Sequence, residues 1–229
     1  MNLLFLGASN TDCGHCFTPD NLGTGYVKFV FEHLQGYCLE RGLNLTVTNG
    51  GTDGFTFSRI YEKWNRTYRG TAYDAVVILG GINEVGVIHN TGLTDVQADA
   101  YLHDSAKALS CLLQGLIAED VPHILVVEPF LFGTPDYLNL WKPTLGRVRH
   151  LIHNCICSYR NFSESIMTRS EKRQSFLHFL PIQAELNQLA EEIGLNQVTS
   201  DVIHLAEAGH LHLAEKLTEF LMPLLFESN

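Results

Sequence analysis

The sequence predicts a three-layer α/β sandwich, a parallel sheet with helices packed on both faces. Three observations carry this. Short runs apolar on both faces, such as Ala75-Val76-Val77-Ile78-Leu79, suit strands covered from both sides. Segments with helical apolar spacing lie between them, and this alternation builds βαβ units with right-handed crossovers. The length, 229 residues, fits one such domain spanning 1–229.

Asn2–Gly7 reads as the first strand. Val27, Val30, Leu34 and Cys38 then fall at i, i+3, i+7 and i+11 of a helix, and Gly42 supplies a stop. Leu43–Thr48 is the second strand. Phe57, Ile60, Trp64 and Tyr68 repeat the helical spacing as far as Gly70. Asp74–Gly80 is the third strand. Thr94 and Asp95 open a long helix running to about Asp120, and His123–Glu128 is the fourth strand. A further helix is expected to start near Pro143, because proline suits a first turn. Leu177–Leu180 is the fifth strand. A last helix runs from Glu207 to about Phe226, with Pro223 as a point of kinking.

Composition narrows the function. Fifteen Lys and Arg against 25 Asp and Glu give a net charge of −10, which argues against a nucleic-acid binder or a polybasic membrane anchor. No apolar run reaches the ~18 residues that span a bilayer. Met1-Asn2 lacks the basic start of a signal peptide, and six cysteines are too few for a disulfide scaffold. A reducing, cytoplasmic setting is the expectation.

In an open parallel sheet, ligands sit beyond the carboxyl ends of the strands. The segments expected there are Gly7-Ala8-Ser9-Asn10-Thr11, Asn49-Gly50-Gly51-Thr52-Asp53-Gly54, Gly80-Gly81-Ile82-Asn83-Glu84 and, late in the chain, Asp201-Val202-Ile203-His204. These parts suit acyl transfer. A serine hydroxyl becomes nucleophilic when a neighbouring base takes its proton, and His204 could take that of Ser9. Asp201, three residues earlier, could fix the imidazole tautomer. The Asn83 amide and the backbone N–H groups of Ser9 and Gly54 could form an oxyanion hole.

Taken in order, these four segments resemble the blocks of the SGNH/GDSL hydrolases: Gly7-x-Ser9-x-Thr11, Asn49-x-Gly51-x-x-Gly54, Gly81-Ile82-Asn83-Glu84 and Asp201-x-x-His204. The likeness covers nearly the whole chain. It implies a flavodoxin-like sheet of order 2-1-3-4-5 and ester hydrolysis through an acyl-enzyme, with no metal and no cofactor. The family includes lipases, lysophospholipases, thioesterases and carbohydrate deacetylases. Two positions depart from its pattern, Ala8 and Glu84, where the family usually carries Asp.

Other readings compete. Cys13-Gly14-His15-Cys16 could be a redox pair, and Ala8 leaves room for a binding module that has lost catalysis. His150-x-x-His153 and the group His204, His210 and His212 are weak metal cues, with no further ligand at a familiar spacing. The segment Pro129–Pro143 reads as an aromatic loop, in which Phe130, Phe132 and Trp141 could wall a substrate pocket for an apolar acyl or aryl group. The expected partner is a small-molecule ester. The acyl length, the leaving group and the oligomeric state are not written in the sequence.

Overall fold

A computed structural model describes residues 1–133, 136–166, 176–201 and 203–226. Five parallel strands form the sheet: β1 (Asn2–Gly7), β2 (Thr46–Gly51), β3 (Ala75–Leu79), β4 (His123–Val127) and β5 (Phe176–Leu180), in the order β2-β1-β3-β4-β5. Side chains alternate across a strand, so β1 feeds two cores. Leu4 and Leu6 point with Val76, Ile78, Ile124 and Val126 into one of them, whereas Leu3 and Phe5 point with Val77, Leu125 and Val127 into the other.

The first core is roofed by α3 (Phe57–Lys63), α4 (Ile82–Asn90), α5 (Asp95–Ala118) and α6 (Asp136–Ile166). A π-helical turn, Trp64–Tyr68, extends α3. It drives the Trp64 ring against α5 at Gly115, where a Cβ would lie 2.2 Å from the indole. Thr94 and Gln97 close a reciprocal capping box at the start of α5. The second core lies under α2 (Tyr26–Glu40), α7 (Gln183–Ile193), α8 (Leu195–Val198) and α9 (Glu207–Phe226). No described helix is long and apolar enough to cross a membrane.

Three expectations shift. The second strand runs on through Asn49-Gly50-Gly51, because its ladder with β1 continues to the pair Gly7–Gly51. The helix expected near Pro143 begins at Asp136, so Pro143 lies inside α6 and residues 136–142 are helical rather than loop. Residues 134–135 of that expected loop, and the side chains of 136–138, lie outside the described residues. Finally, α4 and α7 arise where no helix was expected. Both begin within a few residues of a strand end, which shortens the apolar period that reveals a helix.

The registers put the carboxyl ends level. Gly7 pairs with Gly51 and Leu79, Leu79 with Val127, and Val127 with Leu180. The chain crosses from β2 over β1 to β3, so strand order reverses beside β1 and leaves a crevice there.

Candidate active site

Ser9 opens α1 (Ser9–Asp12), a single turn that follows β1 directly. His204 comes from the segment before α9. Asn10 ties the two together: its Nδ2 donates to Ile203 O at 2.8 Å, and its Oδ1 accepts the Leu205 N–H at 2.8 Å. The residues flanking His204 are thereby clamped to the turn that carries Ser9. Nothing in the sequence singled out this buried asparagine, since both partners are backbone atoms almost 200 positions away.

The Ser9 Oγ lies 2.8 Å from His204 Nε2, and His204 Nδ1 lies 2.6 Å from Asp201 Oδ2. A carboxylate only accepts, so Nδ1 carries the proton and Nε2 offers its lone pair to the serine hydroxyl. Asp201 Oδ1 accepts the N–H of His204 at 2.9 Å and of Ile203 at 3.2 Å, closing a tight turn. Burial pushes the Asp201 carboxyl up. The bonds from the His204 ring and from the two backbone N–H groups outweigh that and hold it below the ordinary carboxylate value. The acid is therefore ionised wherever the imidazole needs it.

On the opposite side, Gly81 precedes α4 with φ +113°, a conformation open to glycine, and turns the chain so that Asn83 and Glu84 fall in the first helical turn. Asn83 Nδ2 donates to Phe55 O at 2.9 Å, which joins its amide to the loop bearing Gly54 and leaves a second N–H. Gly54 itself has φ +71° and open space where a Cβ would stand. Glu84 has no exposed surface, and its Oε1 accepts the Phe57 N–H at 2.6 Å. Its burial raises the carboxyl to about 7, against the hydrogen bonds that lower it. Asn83 and Glu84 thus hold both ends of the Phe55–Phe57 segment. Asn49 fixes the loop from beneath: its Nδ2 donates to Thr11 O at 2.7 Å and Leu22 O at 2.8 Å, and its Oδ1 accepts the Gly51 N–H at 2.9 Å.

Ala8, the residue before the serine, is buried at the head of α1 with no side-chain cap. It lines a small cavity of about 20 Å³ with Ser9, Leu79, Gly80, Ile82, Pro129 and Phe130. Arg149 braces that wall, donating to Pro129 O at 2.8 Å and pairing with Glu128 at 3.1 Å. Of the three aromatic residues expected to line a pocket, Phe130 reaches this cavity. Phe132 does not line it: both rings belong to the second core, and Phe132 packs against Phe130 at 5.7 Å between ring centres. Trp141, on α6, stacks on His89 at 6.0 Å between ring centres, beside α4. A larger groove, about 690 Å³, runs between α5 and α6 and includes none of Ser9, Gly54, Asn83, Asp201 and His204.

The histidine cues resolve differently. His210 Nδ1 accepts the Tyr26 N–H at 3.3 Å and its Nε2 faces Cys13 Sγ at 3.5 Å, so the ring is committed to packing. Burial, with the nearby His204, lowers it to about 4. Among the described residues no group of three or more His, Cys, Asp or Glu stands ready to hold a metal ion. Cys13 and Cys16 are free thiols. Burial, with Asp12 adding to it, pushes Cys13 up to about 12, far from a redox thiolate at neutral pH.

A serine hydroxyl, an imidazole in the receptive tautomer and an ionised aspartate, set at the switch point of a parallel sheet, define a serine ester hydrolase. No known family model matches the chain. It is 28% identical over 231 aligned positions to an acetylxylan esterase of Geobacillus stearothermophilus, covering 98% of this chain and 94% of the relative. A solved variant of an acetyl-xylooligosaccharide esterase from Geobacillus superposes with TM-score 0.74 at 25% identity, covering 99% of this chain and 95% of that one. Variants of the Geobacillus esterase named as catalytic replace an aspartate, a serine and a histidine, the aspartate three positions before the histidine. A hydrolase from the metagenome of Lake Arreo, Spain, shares the fold, with TM-score 0.75 at 20% identity over 97% of this chain and 95% of its own. The chain resembles the SGNH/GDSL hydrolases and is a hydrolase of ester bonds.

Proposed function

We propose that this esterase removes short acyl groups, acetyl above all, from a hydroxyl of a small carbohydrate, through Ser9, His204 and Asp201. The contact of Ser9 Oγ with His204 Nε2 at 2.8 Å carries the mechanism. Ser9 attacks the ester carbonyl as His204 takes its proton, and Asp201 stabilises the imidazolium. The charge that develops on the carbonyl oxygen is met by the N–H groups of Ser9 and Gly54 and by the free N–H of Asn83. His204 then protonates the departing alcohol. Water, activated by the same imidazole, releases the acid.

The acyl length is argued from the cavity. Its 20 Å³ holds about one water-sized group, which suits the methyl of an acetyl. The apolar wall beside Ser9 is formed by Phe130 with Ala8, Leu79, Ile82 and Pro129. The acetylxylan esterase relative supports a sugar as the alcohol. The net charge of −10 supports a small-molecule substrate over a nucleic acid, and the free cysteines support a reducing compartment. The two cores share one sheet, so we take 1–229 as one working domain.

Turnover of p-nitrophenyl acetate, butyrate and octanoate tests this in wild type, Ser9→Ala and His204→Ala, beside acetate release from acetylated xylo-oligosaccharides. Acetate should be the fastest ester and octanoate at least tenfold slower, with turnover lost in both variants. Preference for octanoate would overturn the acyl assignment. Undiminished turnover in Ser9→Ala would overturn the site.

A further inference from the structure

Three residues after Ser9, the same turn carries a second acid. Asp12 Oδ1 meets His15 Nδ1 at 2.9 Å, and His15 Nε2 faces Cys16 Sγ at 3.4 Å. By the argument used for His204, the acid fixes the proton on Nδ1 and leaves the Nε2 lone pair toward the thiol. Acid, imidazole and sulfur stand in the relation that Asp201, His204 and Ser9 have. The acid is itself held, since Asp12 Oδ2 accepts the Asp53 N–H at 2.9 Å. The His15 side chain is 12% exposed, whereas Cys16 is open to solvent. Lys63, anchored on Gly51 O at 2.9 Å and Thr52 Oγ1 at 2.7 Å, lies within electrostatic range of Asp12 and Cys16, as Tyr68 does of Cys16.

The other thiol of the motif is built in the opposite sense. Cys13 is largely buried against the Ser9 and Asn10 carbonyls. Its histidine, His210, accepts the Tyr26 N–H on Nδ1, so the Nε2 that faces Cys13 carries the proton and cannot take another. Three positions separate an inert thiol from an armed one.

We propose that Cys16, with His15 as its base and Asp12 orienting that base, is a covalent modification site for low-molecular-weight disulfides. The Cys16 thiol gives its proton to His15 Nε2 as Sγ attacks one sulfur of the disulfide. A new sulfur–sulfur bond forms, the old one breaks, and the departing thiolate takes the proton from His15. One protein thiol and one disulfide become one mixed disulfide and one free thiol. The assignment is independent of the role of Ser9.

The test treats the purified full chain at pH 7 with a limiting amount of oxidised glutathione, and separately with iodoacetamide, and counts label per cysteine by peptide mapping. Cys157 is the internal reference: its Sγ lies 3.5 Å from His153 Nε2, but among the described residues no carboxylate bonds that ring. Cys16 should react at least threefold faster than Cys157. His15→Phe and Asp12→Asn should each slow Cys16 at least threefold and leave Cys157 unchanged, and Ser9→Ala should change neither. Label on buried Cys38 or Cys155 reports unfolding. If His15→Phe opens the fold, Asp12→Asn, which keeps an oxygen for the Asp53 N–H, carries the test. Cys16 reacting no faster than Cys157, or at an unchanged rate in the folded variants, would overturn the proposal.

Discussion

Glu84 is a position where a side chain beside the site is linked strongly to pH. It is fully buried, and only its Oε1 has a donor, the Phe57 N–H, while Oε2 has no partner among the described residues. Burial raises the carboxyl from 4.5 to about 7. A raised carboxylate pKa means that the folded chain holds the proton more tightly than the unfolded chain does. The associated stability is fully present below pH 4.5, falls as pH rises toward 7, and is absent above. The difference of 2.5 units, at about 1.4 kcal/mol per unit, amounts to about 3 kcal/mol. Glu84→Gln keeps the acceptor for Phe57 N–H and copies the neutral acid. The variant should match wild type near pH 4.5 and exceed it by about 3 kcal/mol at pH 8, which is about 6–12 °C in Tm for a chain of this size. Urea unfolding of both proteins between pH 4.5 and 8 measures it. A stability difference that stays constant across that range would refute the reasoning, because it would mean that Glu84 titrates alike in both states.

Other outcomes follow from the same geometry. Asp201→Asn should preserve the fold and lower kcat by about 10⁴-fold, since an amide can donate to Nδ1 and so select the wrong tautomer. Asn83→Ala removes one oxyanion donor and should lower kcat by about 10²–10³-fold on p-nitrophenyl acetate, with KM little changed. Asn10→Ala frees the Ile203 carbonyl and leaves the Leu205 N–H without its partner, at a cost of about 1–3 kcal/mol by urea unfolding. Because those bonds position His204, kcat should fall about 10²-fold as well.

Strand and helix periodicity carried most of the fold. Runs such as Ala75–Leu79 are apolar on both faces because both faces are covered, and that condition is visible in one dimension. The segments holding Ser9, Gly54, Asn83 and Asp201-x-x-His204 were legible because small residues and single polar ones gather where strands end. Phe132 lies outside the cavity lining for the complementary reason: an aromatic residue in a loop looks the same in sequence whether it turns into a core or faces a ligand. Pro143 misled in a similar way, since its missing N–H suits a first turn but does not forbid two turns before it.

By itself the sequence determined which chemistry is available. Alternating apolar runs select a covered parallel sheet, and short motifs put a serine, an acid–histidine pair and an amide at its edge. Tertiary structure alone decided how those groups are used. Asn10 brings His204 to Ser9 through backbone atoms that no side-chain motif records. Glu84 becomes a buried acid only because α4 packs beneath the Phe55–Phe57 segment. Two cysteines three positions apart acquire opposite characters from the histidine nitrogen each one meets. Periodicity and residue type are local properties of a chain. A proton's position and a carboxyl's burial depend on atoms that the fold brings from elsewhere.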